Sequence, residues 1–341
     1  MAPDTLTVGL IGAGRIGQVH AENLSRRIPL ANLIAVADVS EDAAKRCAQQ
    51  YRIPKVTIDY HAILEDSEVQ AVLICSATNT HAQIIEEAAA ASKHIFCEKP
   101  IALSLATIDR ALDAVARAGV KLSIGFNRRF DANFQRVHRA IEQGEIGQPE
   151  ILHIISRDPS PPPIAYIKVS GGIFADMMIH DFDMARFLIG SEVEEVYVAG
   201  GVMVDPAIGE AGDLDTAVVV LRFANGVIGT IENSRRAVYG YDQRVEVLGS
   251  GGAIRIDNNY PNTAIISDAQ NVRRDLPLHF FMERYTEAFA AEMLAFVDAV
   301  LHDRPAPVTG HDGRAPVAIA LAARRSFDER RPVRVSEVDS A

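Results

Sequence analysis

The first third of the chain alternates short runs of β-branched and other apolar residues with longer, Ala-rich segments of helical periodicity. This alternation is typical of βαβ units, in which helices connect neighbouring parallel strands. The runs that we interpret as strands are 6–11, 33–37, 71–75, 94–97 and 120–124, and helices are predicted at about 15–28, 41–50, 80–92 and 104–118. Five strands in this arrangement predict an α/β domain with a doubly wound parallel sheet.

The pattern changes after residue 125, where short alternating runs are separated by turn residues. Asn225-Gly226 lies between two of these runs, as in a tight hairpin, and the runs predict an antiparallel sheet. The predicted strands are 193–204, 216–223, 227–233, 244–248 and 253–257, and the predicted helices are at about 131–143, 173–189, 280–301 and 311–328. We therefore predict an α/β domain over 1–125 and an α+β domain over 126–341, whose last helix can pack back on the first domain.

Composition narrows the range of partners. The chain has 341 residues, with 34 Lys and Arg against 45 Asp and Glu, a formal net charge of −11 that would repel nucleic acid or an anionic membrane. The first ten residues lack the pattern of a secretory signal, and no apolar run reaches the roughly 18 residues of a membrane span. Cys47, Cys75 and Cys97 fit neither a disulfide framework nor a zinc motif. We expect a reduced, cytoplasmic protein without a metal site.

A glycine-rich segment, Gly12-Ala13-Gly14-Arg15-Ile16-Gly17, follows the first predicted strand and opens the first predicted helix. The first glycine permits a tight turn, the second lets a pyrophosphate approach the backbone, and the third allows close packing of helix on strand. Asp38 ends the second predicted strand, where a carboxylate accepts hydrogen bonds from the adenosine ribose and repels a 2′-phosphate. These residues predict a site for NAD rather than NADP. The alternative role of Asp38 is to cap the next helix.

The segment Glu98-Lys99-Pro100 follows the fourth predicted strand. Ligands of open α/β sheets bind at the carboxyl ends of the strands, so we expect Lys99 to point toward the nicotinamide half of the cofactor. Pro100 restricts the backbone of the preceding residue and so helps to set the direction of the lysine. On its own, the segment fits a solvated loop lysine equally well.

A third candidate lies in the predicted helix at 173–189, directly after Gly171-Gly172. Asp176 and His180 are four residues apart on one helical face, and Asp183 continues the same stripe. A histidine beside a carboxylate suits general acid–base catalysis, because the carboxylate orients the ring and stabilises its cation. Two alternatives stay open: a hydrogen-bonded structural histidine, and a metal site with Asp183, for which the spacing offers no further ligand.

Together these segments resemble the glucose-fructose oxidoreductase and inositol dehydrogenase family, in order and separation, over essentially the whole chain. The segments most similar to the inositol dehydrogenases of that family are 125–131 (GFNRRFD), 156–159 (SRDP), 179–186 (IHDFDMAR) and 239–244 (YGYDQR). The resemblance implies that the first domain is an NAD-binding Rossmann domain. It also implies that the second domain binds substrate and carries a large open antiparallel sheet through which the chain forms a dimer or tetramer.

The resemblance further implies an activity, the NAD-dependent oxidation of a ring hydroxyl of myo-inositol, or of a close cyclic polyol, to the ketone. Lys99, Asp176 and His180 are the implied catalytic group: His180 takes the hydroxyl proton, Asp176 holds the imidazole and Lys99 donates to the substrate oxygen. The residues expected to bind NAD are Gly12, Gly14, Arg15, Ile16, Gly17, Asp38, Glu98 and Lys99. Those expected to bind substrate are Asn127, Arg128, Asp158, Tyr239, which would reach across a subunit boundary, and Tyr285, for which core packing is an alternative.

Other functions remain open at this point. The substrate could be another inositol isomer, an aldose or a sugar acid, whose carboxylate Arg128 and Arg129 would bind. A non-catalytic NAD-sensing regulator is a rival from a different class, since such folds lose activity when the catalytic group decays. The joint presence of Lys99, Asp176 and His180 counts against a regulator. A metal-dependent enzyme is a more distant alternative.

Overall fold

The computed structural model describes residues 5–339, which divide into two compact units. The first unit contains residues 5–130 together with Glu287–Val317, and the second contains Asp131–Thr286 together with residues 318–339. The chain therefore returns to the first unit near its end, with residues 287–317.

The elements of residues 5–130 alternate strictly between strand and helix until the last strand. They are β1 (Leu6–Ile11), α1 (Arg15–Arg26), β2 (Ala31–Ala37), α2 (Glu41–Tyr51), β3 (Lys55–Thr57), α3 (His61–Leu64), β4 (Ala71–Ile74), α4 (Thr78–Ala90), β5 (His94–Glu98), α5 (Leu105–Ala118), β6 (Leu122–Gly125) and a 3₁₀ turn (Asn127–Phe130).

The first sheet has six parallel strands in the order β3-β2-β1-β4-β5-β6. This is the order of a doubly wound dinucleotide-binding sheet, so the prediction of a Rossmann fold is confirmed. The strand β3 is not among the predicted strands, because its three residues are mostly exposed at the sheet edge and carry no buried apolar run. The strands β1, β4, β5 and β6 are almost wholly buried, as is typical of parallel strands covered by helices on both faces.

The remaining elements begin in the second unit. In residues 131–286 they are α6 (Ala132–Glu142), β7 (Pro149–Arg157), α7 (Ile164–Ser170), a π-helical turn (Ile173–Met177), α8 (Ile179–Ile189), β8 (Val193–Gly201), α9 (Pro206–Glu210), β9 (Thr216–Phe223), β10 (Ile228–Ser234), β11 (Asp242–Gly249), β12 (Gly252–Ile256), β13 (Ile265–Ser267), β14 (Val272–Arg274) and α10 (Phe281–Arg284). They are followed by α11 (Thr286–Leu301), α12 (Gly310–Glu329), β15 (Val333–Arg334) and α13 (Ser336–Asp339).

The second unit contains a seven-stranded sheet in the order β12-β11-β7-β10-β9-β8-β15. The predicted α+β unit with a large open sheet is confirmed, with one difference in detail: β7 and β10 pair in parallel, so the sheet is mixed rather than purely antiparallel. The strand β7 is not among the predicted strands, and it introduces the parallel pair. As a result, the carboxyl ends of β7 and β10 lie side by side, with Ser156 opposite Asn233.

Three features of residues 5–339 bear on the classes of function considered above. No helix in this range is both long and apolar enough to cross a membrane. No group of three or more His, Cys, Asp or Glu side chains in this range is arranged to hold a metal ion. Cys47, Cys75 and Cys97 are buried and form no disulfide, and burial raises the pKa of the Cys75 and Cys97 thiols well above the usual value.

Candidate active site

The glycine-rich segment forms a tight loop between β1 and α1. Gly12 has φ +98°, and a Cβ atom there would lie 2.5 Å from the backbone carbonyl of Cys75. A Cβ atom at Gly17 would lie 2.0 Å from the carbonyl oxygen of Gly12, so a side chain at either position would block the turn. At Gly14, by contrast, a Cβ atom would meet nothing within 4 Å. The backbone at Gly14 is therefore open to an approaching ligand, as a pyrophosphate requires.

Asp38 connects the end of β2 to this loop. Its Oδ2 accepts a hydrogen bond of 2.7 Å from the backbone N–H of Ala13, and its Oδ1 accepts one of 2.8 Å from Ser40. The cap of α2 is Ser40, whose hydroxyl accepts from the N–H of Ala43. Asp38 thus lies at the glycine-rich loop, where the adenosine ribose of NAD is expected. The donors and acceptors present here fit a dinucleotide.

Glu98-Lys99-Pro100 forms the turn that follows β5. Lys99 is partly exposed, and its bond to Pro100 is a cis peptide bond. The Glu98 side chain is buried, with its Oε1 2.7 Å from Nε2 of His20 in α1. The carbonyl oxygen of Pro100 lies 2.8 Å from Nδ1 of His81 in α4. Two helices of the first unit therefore contact the turn that carries the candidate lysine.

The 3₁₀ turn after β6 carries Asn127 and Arg128, both buried in the structure. The next residue, Arg129, contacts Asp312 of α12 at 2.9 Å. Burial would raise the pKa of Asp312, but the charge of Arg129 and hydrogen bonds from Thr309 outweigh it and lower the pKa to about 2. Arg129 is therefore engaged in an ion pair inside the first unit.

In the second unit, Asp176 and His180 occupy successive turns of one helical segment. The first of these is a π-helical turn, closed by a hydrogen bond of 2.8 Å from the N–H of Met178 to the carbonyl of Ile173. Such widened turns are frequent at functional sites. Asp176 and His180 are both partly exposed, whereas Asp183, the third member of the predicted stripe, is buried.

The carboxylate of Asp176 is held by two side chains that the sequence analysis did not select. The hydroxyl of Tyr166, in α7, donates to Oδ1 at 2.9 Å, and the guanidinium of Arg235 lies 3.4 Å from Oδ2. Arg235 is fully buried and also lies 3.8 Å from Oδ2 of Asp213, whose Oδ1 accepts from the N–H of Ile173. Arg235 thus connects Asp176 to the residue that fixes the start of the π-helical turn.

A buried hydrogen bond anchors the helix that carries His180. Nδ2 of Asn233, at the end of β10, donates to Oδ2 of Asp181 at 3.0 Å, and both side chains are fully buried. Because Asp181 directly follows His180, this contact fixes the first turn of α8 on the sheet. The N–H of Asp158 donates to the carbonyl of Ser234 at 3.0 Å, which places Asp158 at the same end of the sheet.

The two predicted substrate tyrosines have different environments. The hydroxyl of Tyr239 donates to Asp242 at 2.6 Å and accepts from Arg157 at 2.7 Å, which leaves its oxygen one further hydrogen bond to accept. Burial and the contact with Asp242 raise the pKa of Tyr239. Tyr285 is only 2% exposed, and its hydroxyl lies 3.4 Å from Oε1 of Gln243. Its ring is part of the core of the second unit.

Comparison with known proteins identifies the family. A family model described as "Oxidoreductase family, NAD-binding Rossmann fold" matches residues 6–126, and one described as "GFO/IDH/MocA C-terminal domain" matches residues 134–255. Together these matches cover more than half of the chain. The chain belongs to the GFO/IDH/MocA oxidoreductase family. The resemblance deduced from the sequence is confirmed, as are an oxidoreductase activity and NAD as the cofactor.

Individual members of the GFO/IDH/MocA family match over nearly the whole chain. Myo-inositol 2-dehydrogenase of Thermotoga maritima is 50% identical over 98% of this chain and 99% of that protein. Inositol 2-dehydrogenase of Rhizobium meliloti is 48% identical over 97% of this chain and all of that protein. A scyllo-inositol dehydrogenase from Lactobacillus casei, solved with NAD(H) and scyllo-inositol, has a TM-score of 0.91 at 29% identity, over 97% of this chain and 99% of that one.

Three side chains that contact predicted site residues are not among those selected from the sequence. Tyr166 and Arg235 contact Asp176, and His20 contacts Glu98. Tyr166 follows a proline-rich stretch that suggested only a stiff loop, and Arg235 follows a strand in a segment where charged residues are common. Of the three, His20 has the clearest signal in the sequence, because it lies three residues after Gly17 on the buried face of α1. A polar residue on an apolar face requires a partner, and in this chain the partner is Glu98.

Proposed function

We propose that this chain oxidises a ring hydroxyl of myo-inositol to give 2-keto-myo-inositol, with NAD as the hydride acceptor. The observation that carries the proposal is the 50% identity to the myo-inositol 2-dehydrogenase of Thermotoga maritima over 98% of the chain. Similarity at this level spans both family matches, so it includes the cofactor loop as well as the second unit.

NAD would be held by residues of the first unit. The loop of Gly12, Gly14, Arg15, Ile16 and Gly17 would bind the pyrophosphate, because Gly14 is open to an approaching ligand and no side chain of Gly14 caps the amino-terminal turn of α1. Asp38 would accept hydrogen bonds from the ribose. Glu98 and Lys99 lie at the carboxyl end of β5, on the edge of the sheet where the nicotinamide half of a dinucleotide binds.

When bound, NAD would supply nicotinamide C4 as the acceptor of a hydride from the substrate carbon. In our proposal, His180 takes the proton of the reacting hydroxyl, and the ring is oriented by Asp176. The contacts of Asp176 with Tyr166 and Arg235 hold its carboxylate in one position, which supports this orienting role. The ammonium of Lys99 donates to the substrate oxygen as charge develops on it. The products are the ketone, NADH and one proton.

Substrate recognition is proposed to involve Asn127, Arg128, Asp158, Tyr239 and Tyr285. The environment of Tyr285 supports a packing role more than direct contact, since its side chain is buried and its hydroxyl lies near Gln243. A neutral polyol is favoured over a sugar acid for one specific reason. Arg129, one of the two arginines expected to bind a carboxylate, is already paired with Asp312.

We further propose that the chain assembles as a homodimer or tetramer through the outer face of the second sheet. Ile151 on β7 lies directly opposite Ile228 on β10 and Leu248 on β11, and all three side chains are more than 40% exposed. This row of apolar residues supports contact with a second copy of the same sheet. Sedimentation of the wild type and of Ile228→Glu would test the assembly. The three thiols without disulfides support a cytoplasmic location, and the proposed oxidation of inositol is the basis for proposing a role in inositol catabolism.

The substrate is tested by NAD reduction with myo-inositol, scyllo-inositol and D-chiro-inositol beside glucose and a uronic acid, repeated with NADP. We expect the highest kcat/KM with myo-inositol and NAD. A higher value with scyllo-inositol, the ligand in the Lactobacillus casei structure, would reassign the isomer and leave the chemistry in place. Tight binding of NAD without reduction in the presence of any of these alcohols would support a regulator instead.

A further inference from the structure

Two buried histidines contact the residues that directly precede and follow the candidate lysine. His20 contacts Glu98, the residue before Lys99, and His81 contacts Pro100, the residue after it. Both histidines are at most 2% exposed, so neither can touch a substrate directly. They belong to the first unit, and the proposed reaction assigns them no role.

His81 connects two turns at the carboxyl edge of the first sheet. Its Nδ1 lies 2.8 Å from the carbonyl oxygen of Pro100, and its Nε2 lies 3.1 Å from the carbonyl oxygen of Ser76, which follows β4. Burial lowers the pKa of His81, so the ring is neutral near pH 7 and donates to one of these two carbonyl oxygens, of which that of Pro100 is the nearer. Ser76 in turn packs against the glycine-rich loop, because its backbone N is 2.6 Å from a Cβ atom placed at Gly12.

His20 fixes the other side of the turn. Its Nε2 lies 2.7 Å from Oε1 of Glu98, and Nδ1 makes no hydrogen bond within residues 5–339. We therefore assign the proton to Nε2, which donates a hydrogen bond to the carboxylate. The ring is held edge-on between Phe96, at 5.1 Å, and Phe289, at 5.9 Å between centroids. A Cβ atom placed at Gly125 would lie 3.0 Å from the Glu98 carboxylate, so the glycine leaves room for this carboxylate beside β6.

We propose that His20 and His81 are positioning residues that fix the Glu98-Lys99-Pro100 turn and thereby set where the Lys99 ammonium meets the substrate oxygen. This inference rests on the proposed role of Lys99. A lysine side chain has four flexible carbons, so its reach is defined only if its backbone is held. Displacement of a reacting group by about 1 Å can cost on the order of 100-fold in rate. The cofactor loop and the lysine turn are thus fixed by the same two helices, α1 and α4.

The test uses pairs of variants that differ only in the reach of an amide group. At position 20, Gln places an amide nitrogen near the position of Nε2, whereas Asn is too short to reach Glu98. At position 81, Asn places its nitrogen near Nδ1, whereas Gln is too long. His20→Leu and His81→Leu remove the donor altogether. The matched control is His94→Leu, because His94 lies at the opposite end of β5 and its Nδ1 accepts from the N–H of Lys121 at 3.1 Å.

Two readouts are needed, and the first does not depend on activity. Hydrogen exchange measured by mass spectrometry should show at least about tenfold faster exchange at residues 98–101 in H20N, H20L, H81Q and H81L, but not in H94L. In steady-state kinetics with myo-inositol, the same four variants should lose about 10- to 100-fold in kcat, with KM and the Kd for NAD within about threefold of wild type. H20Q and H81N should retain kcat within about fivefold of wild type.

The inference is overturned if H20N behaves like H20Q, or if H81Q behaves like H81N. It is also overturned if kcat falls and the Kd for NAD rises together, as expected of a purely structural role. The comparison of H20Q with H20N and of H81N with H81Q decides this even if the leucine variants fail to fold. If the wild type does not oxidise inositol but the exchange pattern is as expected, the proposed function fails and the positioning role stands. If the wild type is active and the variants match it, only the positioning role fails.

Discussion

The hydroxyl of Tyr166 donates a hydrogen bond of 2.9 Å to Oδ1 of Asp176. Tyr166 is about half exposed, at 48%, so solvent competes with this bond, and its contribution falls below the roughly 1.5 to 3 kcal/mol typical for hydrogen bonds to charged groups. We expect Tyr166→Phe to lower kcat/KM for inositol by about 3- to 10-fold and to leave the Kd for NAD unchanged. Tyr197→Phe, on the outer face of the sheet, is the matched control. Equal effects of the two changes would exclude a role for the Tyr166 hydroxyl.

The buried Arg235 stabilises the second unit through two carboxylates. Replacement by Met leaves Asp176 and Asp213 near each other without the cation between them, and we expect the free energy of unfolding to fall by about 3 kcal/mol. Urea denaturation measures this change. Asp213→Asn, introduced into the Arg235→Met variant, should recover part of the loss, because it removes one of the two uncompensated charges. A loss below about 1 kcal/mol would show that the long contacts of 3.4 and 3.8 Å contribute little.

Asp38 should determine the choice between NAD and NADP. In Asp38→Ser the repulsion of a 2′-phosphate and the hydrogen bond to Ala13 are both lost, so we expect the preference for NAD, as a ratio of kcat/KM values, to fall at least about tenfold. Asp42→Ser is a suitable control, because Asp42 is an exposed residue in the first turn of α2. If the ratio is the same in wild type and Asp38→Ser, then Asp38 stabilises the glycine-rich loop and does not select the cofactor.

The pairing of Asp312 with Arg129 predicts a dependence of stability on pH. The pKa of Asp312 is about 2 in the folded protein against a usual 3.8, and a lowered pKa contributes stability that is present above about pH 4 and lost as pH falls toward 2. The difference corresponds to roughly 2 kcal/mol at neutral pH. Asp312→Asn should therefore cost about 2 kcal/mol at pH 7 and progressively less below pH 4. Urea denaturation at several pH values measures this, and a cost independent of pH would contradict the assignment.

Most of the fold could be predicted from the sequence, because its periodicity is strong. Buried parallel strands such as β4 and β5 are continuous apolar runs, and the predicted limits of β9 agree with the structure at both ends. The parallel pair of β7 and β10 could not be predicted, because pairing between strands distant in sequence leaves no local signal. The grouping of residues 287–317 with the first unit likewise depends on contacts between residues distant in sequence.

The parts of the candidate site that form a local sequence motif could be predicted. The parts that depend on contacts between residues distant in sequence could not. The glycine-rich loop is local, so its role follows from spacing alone. The environment of Asp176 depends on Arg235, which is 59 residues away in sequence and meets it only because β10 ends beside the π-helical turn. The helix containing Asp176 and His180 was predicted as a regular α-helix, and the widened turn at Ile173 was not apparent from the residues.

The measurement that tests the central claim most directly is the initial rate of NAD reduction with myo-inositol for the wild type, Lys99→Met and His180→Ala, together with the Kd for NAD of each protein by calorimetry. We predict that the wild type reduces NAD and that each variant binds NAD with a Kd within about threefold of wild type but turns over about 100- to 10,000-fold more slowly. Turnover near the wild-type rate in both variants, or no inositol-dependent reduction by the wild type, would contradict the account.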